Sequence, residues 1–366
     1  MLKVLMTADT VGGVWTYSLE LARALAPHGA HVLLAAMGRP MSAEQRREAD
    51  AVGNLTVHDS SYKLEWMDDP WDDVAAAGGW LLTLDRQFAP DVVHLNGYTH
   101  GGLPFAAPKL VVAHSCVLSW WRAVKGYDAP ASQWDRYRDA VAAGVAAADL
   151  LVAPTRAMLA AIDDCYGVAP ARAEVIYNAR DVRAFPPGPK EPFVLSAGRM
   201  WDEAKNVAAL NQVAGGVPWP IYVAGEADAP PGGGGRAGSG TVRPLGMLPP
   251  RDLATWLGRA SIYALPARYE PFGLSILEAA LAGCAPVIGD IPSLREVWAD
   301  AAVFVPPDDH AALRAAIADL IADPAKRARV AARARVRAMQ YTPRRMAEAY
   351  LAAYRSLVRE PVAALP

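Results

Sequence analysis

The 366-residue chain predicts an α/β fold in two domains, each a parallel sheet with helices on both faces. Three observations carry that expectation. Short apolar and β-branched runs alternate with longer Ala- and Leu-rich segments along the whole chain, the pattern of buried parallel strands joined by crossover helices. The pattern runs twice, on either side of a stretch with four prolines in eight positions, residues 185–192. The length also suits two domains of about 100–200 residues each.

In the first pass, residues 2–6 read as a strand, 15–26 as a helix and 31–35 as a strand. Strands at 91–95 and 110–113 follow, separated by a Gly/Pro-rich connection. Proline fixes φ and removes a donor, so residues 185–192 form a connector outside either sheet and place the domain boundary near 185. The second pass gives strands at 193–197 and 221–224, a helix at 251–260 and a strand at 261–265. A helix at 275–282 and strands at 285–288 and 302–305 complete it. The tail, 308–358, reads as helix interrupted by Pro324 and Pro343. Its arginines (Arg327, Arg329, Arg333, Arg335 and Arg337) read as a solvated face. A Gly/Pro-rich stretch at 229–240 reads as a solvated loop.

Composition excludes several classes. Apolar residues make up 53% of the chain and charged residues 20%, which is globular and not disordered. A net charge of −2 gives no support to nucleic-acid binding, and allows at most peripheral contact with a membrane. Cys116, Cys165 and Cys284 are scattered and odd in number, implying no disulfide framework. There is no signal-peptide pattern and no run of 18 apolar residues, so the expected location is the cytoplasm.

The most informative segment runs from Pro266 to Ile288. A strand ends, a Pro/Gly loop follows and a helix begins near Gly273 and Leu274, whose exposed N–H groups make an anion site. Glu270 lies in the loop and Glu278 in the helix. This spacing lets two carboxylates reach one polar ligand from different ends; alternatively, Glu270 caps the helix and Glu278 lies on the surface. A second strand–turn–helix start, Gly198-Arg199 to Lys205-Asn206, puts two cations on either side of a short loop, where both could converge on one diphosphate. In the first half, Gly12-Gly13 follows the first strand and opens a helix, as a tight turn or a close backbone approach, but without the G-x-G-x-x-G of a dinucleotide site. His94 ends a strand two residues before Asn96 and reads as a packed residue. His114 stands at a strand's carboxyl end, where open α/β sheets place ligands. Trp120, Trp121 and Arg122 mix rings and charge, suiting a sugar platform, a membrane interface or a partly buried helix face.

The run Glu-Pro-Phe-Gly-Leu (270–274), Leu277-Glu278-Ala279, Ala282-Gly283, Pro286-Val287-Ile288, Leu294-Arg295-Glu296-Val297 and Val305-Pro306-Pro307-Asp308 resembles the Glu-x7-Glu signature of the retaining glycosyltransferases of family 4 (glycosyl transferases group 1). The segment 198–206 is similar to that family's Gly-Arg-x-x-x-x-Lys-Asn pattern, with Trp201-Asp-Glu-Ala as a local departure. Residues 176–181 resemble its Pro-Asn-Gly-Val-Asp junction, with Tyr177 for Pro and Ala179-Arg180 for Gly-Val; Asn178 would fix the interdomain turn.

The resemblance implies a GT-B fold. Two Rossmann-like domains, 1–185 for the acceptor and 186–342 for the nucleotide sugar, face an interdomain cleft, and the C-terminal helix (about 343–366) crosses back to the first. It implies transfer of a hexosyl group from a nucleoside-diphosphate sugar, the donor substrate, to an acceptor hydroxyl on a glycan, a lipid-linked sugar or a small molecule. The stereochemistry would be retained. The implied catalytic residues are His114, Glu270, Arg199 and Lys205. The implied donor set adds Gly12, Gly13, Phe272, Gly273, Leu274, Ser275 and Glu278, with Glu270 on sugar hydroxyls and Glu278 on the ribose. Acceptor-side candidates are Asn96, Trp120, Trp121 and Arg122. No Asp-x-Asp triplet and no metal-spaced His/Cys cluster occurs, so the expectation is neither metal nor other cofactor. The alternatives are an epimerase-like sugar-nucleotide enzyme and a non-catalytic nucleotide-sugar sensor.

Overall fold

The computed structural model describes residues 1–168, 170–226 and 241–359; the 229–240 stretch lies outside them. The chain divides into two compact units. The first comprises Met1–Trp121, Asp128–Asn178 and Pro343–Pro366, the second Arg122–Tyr127 and Ala179–Thr342. The change from first to second unit falls at Asn178–Ala179, before the proline-rich stretch. Residues of that stretch already belong to the second unit's packing: Phe185 is buried, and the Gly188 N–H donates to the Gly258 carbonyl at 3.1 Å. Its last two residues, Glu191 and Pro192, open a strand.

Among the described residues the first unit holds a seven-stranded sheet in the order Leu55–Asp59, Ala30–Met37, Leu2–Asp9, Val92–Leu95, Lys109–Val112, Leu150–Ala153, Ala173–Val175. Every pairing is parallel. The central strands are buried on both faces, which is why they read as continuous apolar runs. The strands at 55–59, 150–153 and 173–175 are absent from the sequence reading.

The second unit holds a six-stranded parallel sheet in the order Arg243–Gly246, Ile221–Ala224, Glu191–Ala197, Ala260–Leu265, Ala285–Gly289, Val303–Val305. In both sheets the strand order reverses direction at a central pair. These pairs are Leu2–Asp9 beside Val92–Leu95, and Glu191–Ala197 beside Ala260–Leu265. Crevices at the carboxyl ends of such pairs are where open α/β sheets bind ligands.

The tail forms three helices, His310–Ala322, Pro324–Ala338 and Pro343–Arg359, with Pro324 and Pro343 each at a helix start, where a missing N–H costs nothing. The arginine face of the second is more than solvated. Arg335 Nε donates to the Leu281 carbonyl at 3.1 Å, Arg337 Nε to Val297 at 2.7 Å and Arg327 Nη1 to Leu320 at 2.7 Å, while Arg329 and Arg333 are exposed. These carbonyls end other helices, where unpaired acceptors and the negative pole of the dipole attract cations.

The last helix belongs to the first unit. Met346, Ala347, Tyr350, Leu351, Tyr354 and Leu357 recur every three or four residues and are buried, giving it one apolar stripe, which packs on the helix Gly13–Leu25. Among the described residues no helix is long and apolar enough to cross a membrane.

Candidate active site

In the second unit, the strand Glu191–Ala197 ends at Gly198, whose φ of 153° lies outside ordinary L-residue territory. The Gly198 N–H donates to the Ala224 carbonyl at 3.0 Å. The neighbouring strand approaches so closely that a Cβ on Gly225 would stand 1.8 Å from the Gly198 carbonyl oxygen. Tyr263, fully buried, brackets Ala197 from the next strand, accepting from its N–H at 3.2 Å and donating to its carbonyl at 3.1 Å.

The loop after Gly198 is organised by Asp202. Its Oδ1 accepts from the Ala204 N–H at 3.0 Å, capping the short helix Glu203–Lys205, and its Oδ2 accepts from Arg199 Nη2 at 2.8 Å. The Arg199 guanidinium lies 5.1 Å from the centre of the Trp201 ring. Asn206, buried and left-handed at φ 56°, donates from Nδ2 to the Pro266 and Pro307 carbonyls at 2.9 and 2.7 Å. The cation loop is thereby fastened to the carboxylate loop beside it.

That juxtaposition brings Lys205 Nζ to 2.6 Å from Glu270 Oε2, with both side chains largely withdrawn from water. The other oxygen, Oε1, accepts from the Gly273 N–H at 3.0 Å, so Glu270 both pairs with the lysine and braces the turn before the helix. Ser293 Oγ donates to the Glu270 carbonyl at 2.6 Å. Gly273 precedes the helix Leu274–Leu281 at φ 89°, where a Cβ would meet Ile276 Cδ1 at 2.8 Å. Phe272 is buried edge-on to Tyr341, and Ser275 is half-buried in the first turn of the helix.

The far end of the helix is held by cations. Lys190 Nζ donates to the Ala282 carbonyl at 2.7 Å and to Leu257 at 3.2 Å, and Arg335 reaches Leu281. Burial lowers the Lys190 pKa from its ordinary value. The helix thus has positive groups at its negative pole and open N–H groups at its positive pole, the polarity an anion site uses. Glu278, on this helix, is buried and lies 2.9 Å from Arg180 Nε.

Arg199 and Lys205 are anchored to different carboxylates, Asp202 and Glu270. The sequence reading missed Arg180, Lys190 and Ser293, whose partners lie far along the chain. Asp202 stands in that reading only within the Trp201-Asp-Glu-Ala departure; an Asp just before a short helix is a readable cap signal.

In the first unit, Gly12 stands just before the helix Gly13–Leu25, and both glycines are exposed. Asn96 ties a polar cluster together. Its Nδ2 donates to the Thr7 carbonyl at 2.7 Å, which turns Oδ1 towards His94 Nε2 at 3.1 Å and His114 Nε2 at 2.8 Å. Both rings therefore carry their proton on Nε2. His94 Nδ1 then accepts from the Tyr354 hydroxyl of the last helix at 2.6 Å, and Nδ1 becomes the acceptor nitrogen of His114. Burial pushes the His94 pKa down to about 3. Burial, and then His94, push that of His114 to about 3. Tyr17 meets His114 edge to face at 4.5 Å.

Asp9, Lys63, Glu65, Trp66, Asn96 and His100 line a small cavity of about 50 Å³ at the carboxyl ends of the central strands. Trp120 and Trp121 are half-buried with rings 6.0 Å apart, and Arg122 is exposed. Among the described residues, no group of three or more His, Cys, Asp or Glu side chains could hold a metal ion.

Two family models match the chain, one described as Glycosyltransferase Family 4 over residues 11–184 and one as Glycosyl transferases group 1 over residues 237–337. Alignments with the first curated relatives span about a third or less of those proteins' length. A D-inositol 3-phosphate glycosyltransferase from Xylanimonas cellulosilytica is 28% identical over 90% of this chain and 88% of its own. Two solved structures share the fold. Sucrose-phosphate synthase from Thermosynechococcus elongatus has a TM-score of 0.80 at 17% identity, covering 98% of this chain and 99% of that one. Anabaena HepE in complex with UDP-glucose has a TM-score of 0.77 at 17% identity, covering 98% and 100%.

Proposed function

Because the chain belongs to the family 4, group 1 glycosyltransferases and has the GT-B fold, we propose that it moves a hexosyl group from a nucleoside-diphosphate sugar to an acceptor hydroxyl, with retention and without a metal ion. The observation that carries this reading is the Lys205–Glu270 pair at 2.6 Å beside the open start of the helix Leu274–Leu281. A diphosphate at that helix start meets backbone N–H groups and the Lys205 ammonium, with Arg199 on the same loop. Fixed donors of this kind typically supply a few kcal/mol each against charge developing on a leaving group. Glu270 takes the sugar hydroxyls and Glu278 the ribose. His114, neutral and accepting through Nδ1, orients a sugar hydroxyl without carrying charge.

In a front-face path the departing phosphate oxygen takes the acceptor proton, so the chain needs no base of its own. Asn96, Trp120, Trp121 and Arg122 are the acceptor-side candidates, and the acceptor is a hydroxyl-bearing glycan, lipid-linked sugar or small molecule. The solved complex of HepE with UDP-glucose supports a nucleotide-sugar donor.

The test is thermal stability against UDP, GDP, ADP and dTDP without metal. A ligand at about 100 times its Kd adds roughly 2.7 kcal/mol. One nucleotide standing out supports the donor site and fixes the base for an acceptor screen. No shift with any of the four, with or without magnesium, overturns it.

A further inference from the structure

Asn96 follows the strand Val92–Leu95, and Thr7 on the neighbouring strand Leu2–Asp9 fixes it twice. The Asn96 N–H donates to Thr7 Oγ1 at 2.8 Å, and Nδ2 donates to the Thr7 carbonyl at 2.7 Å. A carbonyl oxygen only accepts, so turning the amide over would set two oxygens against each other. The second Nδ2 hydrogen goes to Ser18 Oγ at 3.3 Å, whose own proton is given to the Val14 carbonyl at 2.8 Å. On the other side, Oδ1 accepts from His94 Nε2 at 3.1 Å and from His114 Nε2 at 2.8 Å.

An asparagine side chain has two N–H bonds and two oxygen lone pairs, and all four are used inside the first unit. None remains for a substrate, so what Asn96 contributes goes through its partners. Of these, His94 is fully buried and its other nitrogen accepts from Tyr354. His114 is half-buried with its ring edge-on to Tyr17, and among the described residues no group pairs with its Nδ1. Neutral imidazole carries one ring proton, so a fixed acceptor at Nε2 decides what Nδ1 can do.

We propose that Asn96 is a positioning residue that locks His114 in its Nε2–H form and so reserves Nδ1 as an acceptor for a hydroxyl of the donor sugar. This rests on the reading of His114 as a sugar contact. It takes Asn96 itself out of the acceptor contacts.

The experiment reads the imidazole nitrogens of the intact protein by long-range nitrogen–proton correlation spectra at neutral pH, with His114→Gln assigning the signals. In the wild type, His94 and His114 both show Nε2–H alone. In Asn96→Ala, His114 becomes a mixture of the two neutral forms, while His94 stays Nε2–H because Tyr354 still occupies its Nδ1. His94 is thus an internal control that a loss of folding would not spare. Binding of UDP, GDP, ADP and dTDP, each against its glucose conjugate, is measured beside it. Asn96→Ala weakens the matching nucleotide sugar about tenfold, the worth of one neutral hydrogen bond, and leaves the bare nucleotide unchanged. Should Asn96→Ala fail to fold, Asn96→Asp keeps the shape and turns the shared acceptor into a carboxylate, which favours charged imidazole. His114 then shows both nitrogens protonated, and nucleotide-sugar binding falls in the same way.

A wild-type His114 with its proton on Nδ1, a His114 form unchanged by Asn96→Ala, or equal losses for nucleotide and nucleotide sugar would overturn the role of Asn96 and leave the donor site standing. A wild type that holds the Nε2–H form but binds none of the nucleotides overturns the donor reading, and with it the purpose proposed for the lock.

Discussion

The Lys205 ammonium stands 2.6 Å from the Glu270 carboxylate, and this pair joins the loops that end the two central strands of the second sheet. Neither side chain is more than 16% exposed. A pair so placed keeps a lysine at the head of the helix Leu274–Leu281, where the proposed diphosphate would meet it.

Replacing Lys205 with Ala removes that charge and leaves Glu270 buried without its lysine. Breaking a buried pair from one side costs about 3–5 kcal/mol of stability. Loss of one fixed donor to the leaving group lowers kcat by about 10²–10³. Glu270→Gln keeps an acceptor for the Gly273 N–H and is the milder variant in stability. Thermal melts together with nucleotide release from a sugar nucleotide check both effects. A protein that only senses nucleotide sugars would show weaker binding with no turnover to lose.

Gly225→Ala tests the packing that shapes the cation loop. The added Cβ would fall 1.8 Å from the Gly198 carbonyl oxygen, and Gly225 itself sits at φ 140°. Two strand ends must separate to admit it, moving the turn that launches Arg199. We expect a loss of about 3 kcal/mol or more, within the range of strongly destabilising backbone substitutions, and weaker nucleotide binding. The urea midpoint and a nucleotide titration of the same variant check it.

The central architecture and the chemistry-bearing loops were legible because their signals are local. Leu2–Asp9 and Ala260–Leu265 are buried on both faces and stand out as apolar runs. Gly273 and Pro324 mark helix starts by backbone chemistry alone. The strand Leu55–Asp59 was missed because its alternating Leu-Thr-Val-His-Asp lies at a sheet edge with only one face partly covered. Leu150–Ala153 was missed because four apolar residues after an Ala-rich helix look like its continuation. The site shows the same division. Glu270, Glu278, Arg199 and Lys205 lie in dense motifs. Arg180 and Lys190 act on partners distant in sequence, and nothing adjacent to either reveals that contact.

The arginine face of the helix Pro324–Ala338 separates staples from solvated charges. Arg337 donates to the Val297 carbonyl at 2.7 Å and to Glu296 at 3.1 Å, closing the end of the helix Pro292–Trp298. Arg337→Ala removes the guanidinium donors, while the Tyr341 hydroxyl still donates to the Val297 carbonyl at 2.7 Å, and should cost about 1–2 kcal/mol. Arg333→Ala, at an exposed position four residues earlier on the same helix, should stay within about 0.5 kcal/mol of wild type. Chemical denaturation of both variants side by side is the measurement.

His94 makes the first unit acid-sensitive, and the sign follows from its protonation. Unfolded, the ring takes a proton near pH 6.5; folded, it resists until about pH 3, because burial opposes the charge and because its Nδ1 lone pair is committed to Tyr354. Between those values the unfolded state binds more protons, so stability rises with pH through this window. The full contribution is present above about pH 6.5 and is lost as pH falls towards 3, at about 1.4 kcal/mol per pH unit for this one ring. His114 adds to the same slope, since burial, and then the neighbouring His94, hold its pKa down at about 3. Urea denaturation of the first unit's transition at pH 7.5, 6 and 5 should give steadily falling midpoints. His94→Gln keeps a polar side chain but removes the titration, so its slope should be shallower although its stability at pH 7.5 is lower. An unchanged slope in that variant would show that carboxylates, and not this histidine, set the acid sensitivity.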